Sequence, residues 1–425
     1  MFEVVFGVSR CSRLRGVPMP SPVADTWTQL SGWDEAPPDR PPTRSAAPPC
    51  AFCRAKLVES DKVTALAASD TRQDLLANNM AEAYLAWDLL ILQERARRII
   101  NGLERRLLRD AQNPYELPHD VFLMYFRINQ ELAMDLTNIL RPHLEHERIN
   151  GLSPEIQVLV TINFLANGSY QTPVGNHYNF VISQPSTSRC IRKVIYLINI
   201  HLLRRWVKFP MTAEERIVAQ NKFAQAPQPF PGAIGAIDCT HINIIAPRVH
   251  EEAYVNHHGN HSLNVQAIVD PDLKILNINA RYPGARNDAY IWNASPIKRA
   301  MEYYYNRGER RTYLIGDAGY PLEPWLMTPL PHYPEWSRQY QYNEKLCKAR
   351  SVVERFFGVF KAIWRCLSYQ RVLMYAPDVV GQIINACAVL HNMRLHYRLF
   401  MDIEEENMSI QPVQEIEGVK VDHIQ

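Results

Sequence analysis

Residues 231–242 read PGAIGAIDCTHI, and residues 314–321 read LIGDAGYP. Each contains a short apolar run that closes on an acid, Asp238 in the first and Asp317 in the second. Short continuous apolar runs bounded by turn residues fit strands buried on both faces. A carboxylate withdrawn from water costs several kcal/mol unless a partner meets it. Two acids ending two buried strands therefore call for a shared reason. Gly316 and Gly319 flank Asp317, where small residues let the chain turn and a ligand approach.

The segments around these runs set the fold class. SLNVQAIVD (262–270) and LKILNINARY (273–282) read as strands joined at Asp270-Pro271-Asp272, a hairpin signal. Residues 288–304 read as helical, with Pro296 splitting them, followed by a strand at 312–317 and helices over 348–367 and 376–398. Strands interleaved with helices predict an α/β domain over 230–400. Glu354 lies on the 348–367 helix, bordering an apolar stripe of Val353, Phe356, Phe357, Phe360, Ile363, Trp364 and Leu367. Two strand-end acids and one from a packed helix would line a pocket with oxygen. Mg²⁺ takes such hard ligands, completing its shell with water and phosphate. Asp288, in GARNDAYIW, is a fourth candidate, although an Asp there also serves as a helix N-cap.

Upstream, residues 71–229 predict a helical domain. A helix over 72–111 repeats Leu85, Leu89, Leu92, Ile99, Leu103 and Leu107 at spacings of three and four and carries an arginine-rich face. Another is expected over 118–148. Within 153–206, a helix starting at Ser153-Pro154-Glu155 and a second helix near Pro185 form a helix-turn-helix-like segment. Ser186, Thr187, Ser188, Arg189, Arg192 and Lys193 stand at the front of its second helix. They suit contacts to phosphates and base edges, and they equally suit an ordinary helical bundle capped by Ser.

Nine of the 30 prolines fall in residues 1–50. Residues 1–70 therefore predict a disordered segment, and 401–425 an acidic flexible tail. The whole chain has 46 basic against 44 acidic residues among 425, a net +2. That excludes a chain coating nucleic acid by bulk charge, while leaving room for local basic patches. No apolar run reaches the roughly 18–20 residues a bilayer demands, so no membrane association is expected. The eight cysteines are scattered without a disulfide framework, as in reduced compartments. Cys50 and Cys53 lack the second ligand pair of a structural zinc site.

Taken together, PGAIGAIDCTHI, YVNHHGNHSLNVQAIVD, YPGARNDAYIW, LIGDAGYP, EKLCKARSVVERFFGVFK and ACAVLHNM resemble the PIF/Harbinger superfamily of DDE transposases. The resemblance runs from about 118 to 398, while the first ~110 residues match nothing familiar in it. It implies an RNase H-like mixed sheet flanked by helices, preceded by the helical domain. It implies a catalytic triad of Asp238, Asp317 and Glu354, with Asp288 joining them as metal ligands. The cofactor would be Mg²⁺ or Mn²⁺. The substrate would be DNA, hydrolysed by a two-ion mechanism in a domesticated nuclease without transposition. A lapsed DNA- or partner-binding protein on the same fold is the alternative. The resemblance further implies a Myb/SANT-like partner protein, location in the nucleus and also the cytoplasm, and leaves room for a homo-oligomer.

Arg350, Lys361 and Arg365 share a face with Glu354, and Arg281 and Arg286 flank the Asp288 turn. Both groups suit contact with a DNA backbone, and the helix stripe equally suits i,i+4 surface pairing. His257-His258 stands where relatives carry basic residues, so phosphate contact there would weaken as pH rises from about 6 to 8. Asn176–Phe180 departs from the glycine-containing turn of relatives, which weakens the sequence case for specific DNA reading.

Overall fold

The computed structural model describes residues 64–145, 151–177, 180–331 and 334–399, with side chains from 79 onward. The proline-rich start, the Cys50/Cys53 pair and the 401–425 tail lie outside the described residues. The chain divides into two units between Trp87 and Asp88, inside the first helix. That helix, α1 (Thr64–Asp110), is longer than its sequence predicts. Its stripe of Leu89, Leu92, Ile99, Leu103 and Leu107 stays exposed instead of packing.

The second unit begins with a bundle: α2 (His119–Phe126), α3 (Gln130–Leu144), α4 (Pro154–Asn167), α5 (Gln171–Asn176), α6 (Gln184–His201), α7 (Leu203–Trp206) and α8 (Ala213–Gln225). The single helix expected over 118–148 is broken. Arg127 turns left-handed at φ 56°, and Asn129 restarts the helix by accepting from Leu132 N–H. α4 is apolar almost all round, and every residue from Ile156 to Ala166 is buried at the centre of the bundle. Ser153 caps it as its sequence predicts. α5 occupies part of the expected turn between α4 and α6. At the front of α6, Thr187 is buried and donates to Ser183 O, so it cannot reach a base edge, while Arg189 and Arg192 are exposed.

The remainder builds one five-stranded sheet. β1 (Ala233–Asn243), β2 (Ser262–Val269) and β3 (Ile275–Pro283) form an antiparallel meander. After α9 (Asp288–Asn293) and α10 (Pro296–Asn306), β4 (Tyr313–Ile315) returns parallel to β1, with β5 (Leu326–Met327) beside it. The order β3-β2-β1-β4-β5 is the RNase H-like arrangement that the resemblance implies. Asp238 does not end its strand. β1 continues five residues to Asn243, paired throughout with β2. α11 (Arg338–Ile363) packs on β1 and β2, and α12 (Pro377–His396) packs on β3 and α6. Asn392 on α12 ties the layers: its Oδ1 accepts from Ile275 N–H, and its Nδ2 donates to Trp206 O and Ile275 O. No described helix is long and apolar enough to cross a membrane.

Two helical glycines separate packing from propensity. A Cβ on Gly381 of α12 would sit 2.7 Å from the Ala280 carbonyl oxygen, while one on Gly358 of α11 would meet nothing within 4 Å. Ala gains roughly 1 kcal/mol of helix propensity at either place. Backbone oxygen cannot rotate aside, so overpacking of about 1–3 kcal/mol opposes the gain at Gly381. Urea unfolding should show Gly381→Ala destabilised by up to about 2 kcal/mol and Gly358→Ala stabilised by up to about 1 kcal/mol.

Candidate metal centre

Parallel pairing of Ala236 with Ile315 puts Asp317, two residues past β4, beside Asp238 on β1. Asp288 follows β3 at the same end of the sheet. Each offers a carboxylate oxygen, and the three oxygens lie within 4.8 Å of one another. Asp238 Oδ1 accepts from Cys239 N–H at 2.8 Å, and Asp317 Oδ1 accepts from Gly319 N–H at 3.1 Å. Neither glycine of the GDAGYP turn adopts a left-handed backbone. Gly319 serves instead by closeness, since a Cβ there would lie 3.2 Å from Asp317 Oδ1.

Asp288 is held by a neighbour that the sequence reading passes over. Asn264 Nδ2 donates to Asp288 Oδ1 at 2.9 Å and to Arg286 O at 2.9 Å. Asp288 is therefore not the helix cap: Asn287 accepts from Tyr290 N–H and takes that place. The signal for Asn264 was present in SLNVQAIV, where Asn264 and Gln266 put two amides on one face of a wholly buried strand. Gln266 in turn donates to Tyr320 Oη, which contacts Cys239 Sγ at 3.2 Å. The side-chain oxygens of Asn264 and Gln266 find no donor among the described residues.

Glu354 stands apart from the three aspartates in its contacts. It pairs with Arg350 one turn earlier, and Arg350 Nη1 also reaches Asp238 Oδ2 at 3.2 Å. The two acids thus share one guanidinium. The basic stripe expected to face DNA is consequently not free: Arg350 is engaged here, and Lys361 donates to Thr240 Oγ1 and His241 O. Burial brings Lys361 down to about 8. Arg281 and Arg286 are exposed, as are His257 and His258, whose rings lie 3.8 Å apart near His241.

Burial, reinforced by Asp317 and Asp288, raises the Asp238 carboxyl to about 6 despite the Cys239 N–H and Arg350. Burial and the neighbouring Asp288 raise Asp317 as well. A clustered, partly desolvated set of carboxylates is under-neutralised by the protein's own cations. Hard oxygen donors gathered in this way fit a divalent cation of the Mg²⁺ type.

The family comparison meets this geometry. Residues 237–392 match the DDE superfamily endonuclease family, a span holding all four acids. "Putative nuclease HARBI1" of Homo sapiens is 33% identical over 261 residues, 61% of this chain and 72% of the human protein. The chain belongs to the PIF/Harbinger superfamily of DDE transposases. The Xenopus laevis protein of the same name is 31% identical over 269 residues, covering 63% of this chain and 75% of its own. "Protein ALP1-like" of Arabidopsis thaliana is 27% identical over 278 residues, 62% and 64% of the two chains. No solved structure matches the chain. Divalent metal use is a property of this DDE family, and the three aspartates are compatible with it.

The raised Asp238 carboxyl has a stability consequence. It holds its proton more tightly folded than at its ordinary 3.8, so the folded state loses stability as pH climbs from about 4 to about 6 and does not regain it above. Asp238→Asn removes that cost. In EDTA at pH 7.5 the variant should be more stable than wild type by on the order of 1–2 kcal/mol. The difference should fade near pH 4 in melts followed by circular dichroism.

Proposed function

We propose that the chain is a divalent-metal-dependent nuclease that hydrolyses DNA phosphodiester bonds, domesticated and without transposition. Asp238, Asp317 and Glu354 form its catalytic triad, and with Asp288 they hold two Mg²⁺ or Mn²⁺ ions. The convergence of three carboxylates within 4.8 Å carries this reading. When bound, such ions supply an activated water and stabilise the departing oxyanion. The chain's own residues do the rest. Backbone N–H groups of Cys239 and Gly319 fix one oxygen each of Asp238 and Asp317; the other oxygen of Asp317 is left for a cation, and that of Asp238 is shared with Arg350. Asn264 orients Asp288 in the same way. Glu354, exposed and paired with Arg350, would hold a cation in place of that pairing, and Arg350 beside the centre would then be free to meet the scissile phosphate.

DNA as substrate, a Myb/SANT-like partner protein and residence in the nucleus and cytoplasm complete the proposal, and they rest on family membership. The engagement of Arg350 with both Asp238 and Glu354 favours a second reading. In a lapsed protein that arginine stays in place as a permanent counter-ion, and the fold serves only to bind DNA or a partner.

Full-length protein with supercoiled plasmid and Mg²⁺ or Mn²⁺ should yield nicked product. Asp238→Asn, Asp317→Asn and Glu354→Gln should each lower the rate by more than about 100-fold, beyond what removal of an outer contact costs. Metal binding by calorimetry without nicking would support the lapsed protein, and no metal binding at all would defeat the metal-dependent nuclease. Asn264→Ala should weaken Mn²⁺ binding in the same calorimetry by about 10–100-fold.

A further inference from the structure

A cleft of about 820 Å³ opens at the end of the sheet opposite the three aspartates. Its position follows from register. Asp238 pairs with Ala267 and Ala236 with Val269, so the β2–β3 turn lies beyond Ala236, while Asp288 and Asp317 follow the far ends of β3 and β4. The turn forms one wall, and α7, α11 and the end of α12 form the others.

Arg205, Lys208, Lys274 and Arg355 converge on this cleft, all exposed. None of them forms an ion pair among the described residues. The acid on the lining, Asp272, is already held by Lys222 at 2.6 Å. Four cations, from α7 and the residues just past it, the β2–β3 turn and α11, thus surround one concavity without an ion-pair partner among the described residues, in a chain of net +2. Trp206 and His396 add an aromatic wall, ring centroids 5.4 Å apart. The Trp206 indole nitrogen has no acceptor among the described residues.

The shape selects among anions. A second cavity of about 400 Å³ shares Arg205, Trp206 and His396 and continues along α12. At its far end Asp135 is engaged by Tyr397 Oη. Two cavities joined over one tryptophan make a track, which suits an extended polyanion better than a compact one. Spaced cations with an aromatic side chain suit phosphates and a base, the pairing used on single strands.

We propose that this cleft is a second nucleic-acid site, anchoring the backbone of a DNA strand away from the place of cleavage. It rests on the reading of DNA as substrate and adds where further affinity comes from. His396 is not required to be charged, since the four unpaired cations suffice.

The experiment uses full-length protein in EDTA, a fluorescent 20-nucleotide strand, the matching duplex, and anisotropy across a salt series. Arg205→Gln, Lys274→Gln and Arg355→Gln are combined in one variant. These surface changes should leave the melting curve nearly in place. Affinity should fall at least about tenfold, and the slope of log K against log salt should flatten by two to three. An Arg307→Gln, Arg310→Gln, Arg311→Gln variant removes equal charge elsewhere and should bind within about threefold of wild type. Unchanged affinity in the cleft variant, or equal loss in the control, overturns the proposal. So does a wild type that binds neither DNA. If inorganic tripolyphosphate stabilises wild type but not the cleft variant, while DNA affinity is unchanged, the cleft takes a compact anion and the DNA assignment falls. Mn²⁺-dependent nicking of plasmid is read separately. Its absence alongside cleft-dependent DNA binding removes the nuclease reading and leaves this one standing.

Discussion

Three carboxylates that repel one another are held within 4.8 Å at one end of a sheet. Much of the second unit can be understood as meeting that constraint. β1 and β4 are parallel neighbours, so Asp238 and Asp317 emerge side by side. Asp288 comes from two strands away and would be free to swing out. The Asn264 amide on the intervening strand prevents that. Arg350 offsets part of the charge, but its guanidinium is divided between Asp238 and Glu354. Burial first, and the neighbouring carboxylates after it, leave the Asp238 carboxyl raised to about 6.

The opposite end of the sheet answers to different forces. There the β2–β3 turn, α7 and α12 are locked by hydrogen bonds between uncharged groups. His391, held neutral by complete burial and brought down to about 4, donates to Leu273 O. Leu273 itself sits at φ 63°, an awkward backbone for a leucine that this bond helps to fix. Asn392, the next residue, satisfies both polar groups of Ile275 and one of Trp206. The HN pair in ACAVLHNM is thus structural, and it gives rigid footing to the basic cleft above it. The modest net charge conceals this division, acid at one end and base at the other.

The parts of the fold legible in sequence were those written in local pattern. Buried apolar runs gave β1, β2 and β4, a Ser-Pro start gave α4, and Pro296 gave the split between α9 and α10. Pairings made across the chain were not legible. Asn264 and Asp288 are far apart in sequence, and only the oddity of amides inside a buried strand hinted at their bond. Glu354 was expected among the acids. The structure puts it on the right helix face but on Arg350, because an i,i+4 partner was nearer than the aspartates. The break at Arg127 carries no glycine or proline. Asn129 was the available cue, being a good cap followed by a fresh apolar pattern. β5, at two residues, is too short for any periodicity to reveal.

Strand length and spacing also bear on how the molecule comes together. β1, β2 and β3 run 11, 8 and 9 residues and are consecutive, so their pairings close connections of 18 and 5 residues. β4 has three residues and must find β1 across the whole meander and two helices. Closing that long loop costs chain entropy before any contact repays it. The meander's pairings close the shorter connections, and the pairing that brings Asp317 beside Asp238 closes the longest. Gathering the carboxylates thus carries the largest chain-entropy cost of the sheet.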